Sequence, residues 1–211
     1  MTELAAKQQS KAGSGRTVLY AIVGIPVAVL LLSTLLYYMV NNKVLDLGTV
    51  NNGVLITPPL QLAELPLTTR NGQPYDYSQP EPKWSFVVIG GSECQHSCER
   101  MLYLSRQAHH ALERRVPQVR RLYLNYDDSV GQSLQGLLAE QYNTTDMLYV
   151  AKKDLQQLLA GSAVAELAEN RFYVVDHHGW LMMYYQAEDL QQGTLNDLGK
   201  KVIKDMKRLL K

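Results

Sequence analysis

Cys94 and Cys98 are the chain's two cysteines, set as Cys94-Gln95-His96-Ser97-Cys98 between the apolar run KWSFVVIGG and a stretch of helical periodicity. A thiol pair at a strand-to-helix junction suits thiolate chemistry, because unpaired backbone N–H groups and the positive end of the helix dipole favour negative charge there. On a first helical turn, residues i and i+4 share one face with Cα atoms about 6 Å apart, within reach of a disulfide. The same geometry lets two thiolates converge on a soft cation such as Cu(I). The pair is therefore predicted to be either a redox switch, with Cys94 attacking and Cys98 resolving, or a Cu(I) clip. In both cases the sulfurs are expected to be open to solvent. An inert staple is the plain alternative, but so short a loop stabilises little.

Of the histidines, His96 alone lies close enough in sequence to join the sulfurs on a metal. His109 and His110 fall about three helical turns beyond Cys98, roughly 16 Å along the axis, and are expected to pack or face solvent. His177 and His178 sit in a turn at the opposite end of the strand that follows Asn170 and Arg171. Met101 belongs to the apolar face of the helix. Glu93 opposes the dipole beside the first cysteine and would raise its pKa. Asp127 and Asp128 end a strand. A Gly-rich phosphate loop, a four-ligand zinc spacing and a serine nucleophile elbow are all missing from the sequence.

These residues must be held by a small number of elements. Residues 17–40, TVLYAIVGIPVAVLLLSTLLYYMV, carry no charge and match the roughly 20 apolar residues needed to cross a bilayer. A cleaved signal peptide would be shorter and end in small residues, unlike TLLYYMVNNK. Lys7, Lys11 and Arg16 against Glu3 on one side, with Lys43 and Asp46 on the other, predict a cytoplasmic segment 1–16 and an exported remainder. A bacterial inner membrane and a periplasmic domain follow from this reading. In that compartment a close cysteine pair is oxidised unless a reductant or metal prevents it. Formal net charge is +1, from 21 basic and 20 acidic residues, so no global field points to nucleic acid.

Residues 41–82 are rich in Pro, Gly, Asn and Thr and read as an extended lead-in that can turn back at Asn71-Gly72. Trp84 to Gly90 has the continuous apolar character of a strand buried on both faces. A helix follows, with Met101, Leu102, Ser105, Ala108 and Leu112 on one face, and then a strand over VRRLYLNYDD that alternates Val119, Leu122 and Leu124 with polar residues. GQSLQGLLAEQY and DLQQLLAGSAVAELA have helical patterns, and MLYV between them is too short to assign. RFYVVDHHGWLMMYYQ predicts a hairpin, and Leu195 to Leu210 an amphipathic helix. The order of strand, cysteine-bearing helix, strand, helix, hairpin and helix resembles the thioredoxin fold, an α/β class, over residues 83–211.

IGGSECQHSC is similar to the Cys-x-x-x-Cys segment of the Sco/SenC proteins, and VVDHHG resembles that family's Leu-Ile-Asp-Pro-Asp-Gly strand and turn. NNGVLITPPLQL, KWSFVVIGGSECQHSC and MLYLSRQ look still more like a group of small single-anchor membrane proteins found with bacterial oxidase assembly factors. The resemblance implies a membrane-anchored, thioredoxin-like protein that assists cytochrome c oxidase assembly. It also implies Cys94 and Cys98 as a redox or Cu(I) pair, and an oxidase subunit or another assembly factor as partner. Two features depart from the Sco pattern. Glu99 stands where Sco proteins have proline, and AVAELAENRF lacks the histidine that supplies their third copper ligand. Residues 160–172 also lack the proline with which thioredoxins receive substrate peptides.

Overall fold

The computed structural model describes residues 15–42, 50–78, 80–162, 164 and 166–210. The charges read at Glu3, Lys7, Lys11, Lys43 and Asp46 lie outside the described residues. Two compact units divide the chain at residues 49 and 50. The first contains α1 (Gly15–Asn41), with Pro26 inside it. Its span Thr17–Asn41 has a mean hydropathy of 2.4 and is long and apolar enough to cross a membrane. None of that span is buried, which sets it apart from the core helix of a soluble domain.

The second unit is a mixed sheet of seven strands with helices on both faces. Its strands are β1 (Val54–Gln61), β2 (Thr68–Thr69), β3 (Trp84–Gly90), β4 (Val119–Asn125), β5 (Thr145–Tyr149), β6 (Arg171–Val175) and β7 (Trp180–Gln186). Its helices are α2 (His96–His110), α3 (Gln132–Gln141), α4 (Lys152–Ala160) and α5 (Gln192–Leu209). The order across the sheet is β1-β7-β6-β3-β4-β5-β2. β3 pairs in parallel with β4 and antiparallel with β6, and β6 pairs antiparallel with β7. The predicted strand, helix, strand and hairpin therefore form the centre of the sheet.

Alternation along each strand divides the core in two. Phe86, Val88, Tyr123, Phe172 and Val174 pack under α2, α3 and α5, whereas Val87, Ile89, Leu122, Leu124, Tyr173 and Val175 pack under α4 and the lead-in. Burying apolar side chains on both faces is what a continuous apolar run such as WSFVVIG achieves. At about 25 cal/mol per Å², it is the main favourable contribution to folding. β4 departs from the alternation read in its sequence, because every residue from Arg121 to Asn125 is buried. Arg121, Tyr123 and Asn125 on its second face are buried as well and do not meet solvent.

The lead-in is part of the sheet at both edges. β1 joins β7, with a register break between Leu55 and Leu60 around Pro58 and Pro59. β2 joins β5, and the Asn71-Gly72 turn folds Pro74 back against Thr68. Gly72 has φ +73°, the left-handed conformation that such a turn favours in glycine. Two prolines on one edge and a two-residue strand on the other leave little backbone for another chain to extend.

Candidate thiol site at the end of strand β3

The Cys94 and Cys98 sulfurs are bonded at 2.00 Å, with Cα atoms 5.1 Å apart. Cys98 lies in the first turn of α2, where its N–H donates to the Gln95 carbonyl at 2.9 Å. Cys94 differs from the expectation. It precedes the helix and holds a left-handed φ of +42°, so the two sulfurs meet across the helix start and not along one helical face. A non-glycine residue in that region costs on the order of 1 kcal/mol and persists because its surroundings hold it.

Exposure also corrects the reading. Cys94 is 5% exposed and Cys98 is fully buried. Both sulfurs belong to the core with Met101, Tyr123 and Leu134, which come from three separate parts of the chain. No local sequence pattern could have reported that cover.

Four ties hold the loop that carries Cys94. Tyr123 donates its hydroxyl to the Gly91 carbonyl at 2.6 Å, and the Ser92 N–H donates to Asp127 Oδ2 at 2.7 Å. The Gly131 N–H donates to the Ser92 carbonyl at 2.9 Å, and the exposed Glu93 side chain packs on Gly131, where any Cβ would collide with it. Asp127 thus does more than end β4, since it fastens the cysteine loop to that strand. Gly90 serves the sulfur directly, because a Cβ there would come within 2.8 Å of Cys98 Sγ and also strike the Tyr123 hydroxyl. The Tyr123 oxygen lies 3.6 Å from Cys98 Sγ. Burial, with smaller contributions from Glu169, Tyr126 and Asp127, pushes the Tyr123 pKa well above its ordinary value, so the hydroxyl keeps its proton.

The remaining candidates lie where the topology sends them. His177 packs near Trp84, the first residue of β3, with ring centroids 6.2 Å apart, at the end of the sheet away from the cysteines. His109 donates its Nε2–H to the Val119 carbonyl at 2.9 Å and sits edge-on to Phe86, and burial lowers its pKa. Met101 is core. His96 is exposed and, with Glu99, Arg100, Tyr103, Gln141 and Tyr142, lines a surface cavity of about 390 Å³. Among the described residues, no group of three or more His, Cys, Asp and Glu side chains converges as a metal site would require. A Sco-type three-ligand copper centre does not fit this donor set.

The segment before β6 faces the cysteine end of β3, since Phe172 pairs with Val88. There the Tyr126 hydroxyl donates to Glu169 Oε1 at 2.6 Å, and Arg171 donates to the Glu166 and Val164 carbonyls. Tyr123, Tyr126 and Glu169 belong to no recognisable sequence motif. Only the tyrosines' place at the end of a buried strand could have drawn attention to them.

The chain matches a family model described as the transmembrane-like, thioredoxin-like C-terminal domain over residues 84–211. Among curated proteins, no sequence matches it. Similar solved structures include yeast Sco1 with copper bound, which is 16% identical, with coverage of 76% of this chain and 95% of that chain and a TM-score of 0.49. A SCO1/SenC family lipoprotein from Bacillus anthracis is 19% identical, with coverage of 73% and 98% and a TM-score of 0.46. A thioredoxin-like protein from Porphyromonas gingivalis is 18% identical, with coverage of 71% and 94% and a TM-score of 0.49. With more than half of its length matched by the family model, the chain belongs to the transmembrane-like, thioredoxin-like C-terminal domain family.

Proposed function

We propose that this protein is a single-pass protein of the bacterial inner membrane, with residues 17–40 as anchor and a periplasmic domain, that assists cytochrome c oxidase assembly by reversible oxidation of Cys94 and Cys98. The observation that carries the reading is the bond between these two sulfurs at the strand-to-helix junction of a thioredoxin-like domain. A disulfide that closes so short a loop adds little stability, which favours exchange as its use, and because Cys94 is only 5% exposed and Cys98 fully buried, exchange requires the loop that carries Cys94 to open toward the partner. The charge asymmetry about the anchor supports the orientation, and the likeness of IGGSECQHSC to the Sco segment supports the oxidase pathway. The partner is an oxidase subunit or another assembly factor that presents a cysteine pair.

Cu(I) as cargo is the second reading. Two thiolates can clip a Cu(I) ion, and His96 stands next to them in sequence, although its exposed side chain lines another cavity. The fit is poorer than for redox exchange, for want of a third converging ligand among the described residues.

The test is to express full-length wild type and Cys94→Ser/Cys98→Ser at equal levels in cells that lack the protein. The redox reading expects oxidase activity to fail in the double variant, and expects the wild-type pair to cycle between dithiol and disulfide against glutathione. Normal oxidase assembly in the double variant would overturn it and leave a scaffold that uses only the fold. Titration of the reduced protein with Cu(I) under a competing chelator separates the cargo reading, which requires one-to-one binding lost in Cys94→Ser.

A further inference from the structure

We propose that Tyr123 is a positioning residue for Cys98: once the pair is reduced, it holds Cys98 as a protonated, resolving thiol and leaves Cys94 as the reacting sulfur. The inference rests on the redox reading above, with Cys94 attacking and Cys98 resolving, and names the group that holds the resolving sulfur.

The Tyr123 ring is fully buried, and its hydroxyl hydrogen is committed to the Gly91 carbonyl at 2.6 Å. The oxygen is left free to accept, and Cys98 Sγ lies 3.6 Å away. While the disulfide is closed, Cys98 carries no hydrogen and this contact contributes little. Reduction changes that. A thiolate of a partner protein dithiol attacks Cys94, the less buried residue of the pair at 5% exposure against none for Cys98. The Cys94–Cys98 bond breaks, its electron pair goes to Cys98 Sγ, and that sulfur takes up a proton released by the partner. The partner's second thiolate then attacks its own sulfur in the mixed disulfide and frees Cys94, which takes up the partner's second proton. Two electrons and two protons have passed to the pair, and the partner leaves as a disulfide.

Cys98 S–H can then donate to the Tyr123 oxygen, and Tyr123 to Gly91, in one line of hydrogen bonds. The reduced state gains a bond that the oxidised state cannot make. Gly90 permits the arrangement, since a Cβ at that position would occupy the space shared by the sulfur and the hydroxyl. Among the described residues Cys94 has no such partner, and its backbone holds the left-handed φ of +42° just before the helix.

The experiment measures the equilibrium constant of full-length wild type and Tyr123→Phe against the glutathione couple. Tyr123→Phe should favour the disulfide by about three- to tenfold, the equivalent of one modest hydrogen bond lost from the reduced state alone. Loss of the bond to Gly91 affects both redox states and cancels in this ratio, so a purely structural role would leave the constant unmoved. An unchanged constant overturns the inference. The reduced wild type supplies a second measurement that needs no variant: iodoacetamide followed by mass spectrometry should label Cys94 at least tenfold faster than Cys98, and equal labelling overturns the assignment. A wild-type pair that cannot be cycled sinks the redox reading together with this inference. A cycling wild type with Tyr123→Phe at the same constant sinks this inference alone.

Discussion

Asp205, inside the last helix, anchors the start of the folded domain by accepting the backbone N–H of Asn52 at 2.6 Å, 153 residues away in the chain. The same carboxylate accepts from the Asn52 side chain at 2.6 Å, the Gly53 N–H at 3.0 Å and the Tyr185 hydroxyl at 2.8 Å. Gly53 is required there because a Cβ would strike the Tyr185 ring at 2.7 Å. The first residues of the domain are thus fastened by a buried charge, 2% exposed, whose acceptor sites are satisfied. Asp205→Asn should cost about 1.5–3 kcal/mol at neutral pH, the range for hydrogen bonds to a charged group. Urea unfolding of the two proteins checks this, and a loss under about 0.5 kcal/mol would show that the anchor is slack.

Burial alone would raise the Asp205 pKa, but the hydrogen bonds from Gly53, Tyr185 and Asn52 outweigh it and hold the carboxyl below its ordinary value. A folded-state pKa lower than the unfolded one gives stability that is complete above about pH 4 and lost as pH falls through the folded value. The acid limb of the wild-type stability curve should therefore be steeper than that of Asp205→Asn below about pH 4. Parallel limbs in acid titrations followed by circular dichroism would refute this.

The Cys94–Cys98 bond closes a loop of a few residues, for which chain entropy predicts about 2 kcal/mol. Strain at Cys94, in its left-handed conformation, offsets part of that. Reduction should lower the unfolding free energy by no more than about 2 kcal/mol and leave the fold intact. Denaturation with and without reductant decides the matter: a domain that unfolds on reduction would make the pair a staple after all.

The centre of the sheet was readable because its signals are local. WSFVVIG is uniformly apolar, RFYVVDHHGWLMMYYQ encloses a tight turn, and α5 repeats its apolar residues at helical spacing. The edges were not readable for physical reasons. β1 contains Pro58 and Pro59, which argue against a strand except at an edge or bulge, where it lies. β5 opens with Thr145 and Asp146 and owes its form to pairing with β4. The cysteine spacing located the site, while the cover over the sulfurs depends on contacts with Tyr123 and Leu134, far away in sequence. Pattern within a segment reports which face is apolar, and it cannot report what another segment lays on top.

Gly90→Ala tests how closely the sulfur site is packed. The added methyl would fall 2.8 Å from Cys98 Sγ and against the Tyr123 hydroxyl, and both groups are fixed in a core with little room to yield. Overpacking of this kind costs about 1–3 kcal/mol. Because the hydroxyl is one of the two groups struck, Tyr123→Phe in the Gly90→Ala background should cost less than in wild type. A double-mutant cycle should thus show coupling of about 0.5 kcal/mol or more, and strict additivity would place the clash elsewhere.

Arg121 gives the opposite expectation, that removing a charge stabilises the protein. It is 3% exposed on β4, and its guanidinium meets the Thr144 hydroxyl through Nη2, while Nε and Nη1 have no hydrogen-bond partner among the described residues. Burial and the neighbouring charge of Arg106 both lower its pKa, and no carboxylate among the described residues pairs with it. A buried cation without a counter-ion bears a desolvation cost that no attraction repays. Arg121→Met keeps most of the aliphatic stem and discards the charge, so the unfolding free energy should rise by about 1–3 kcal/mol. A fall of similar size in urea unfolding would mean that the guanidinium has a favourable role, with its unpaired nitrogens satisfied by water or by a bound anion.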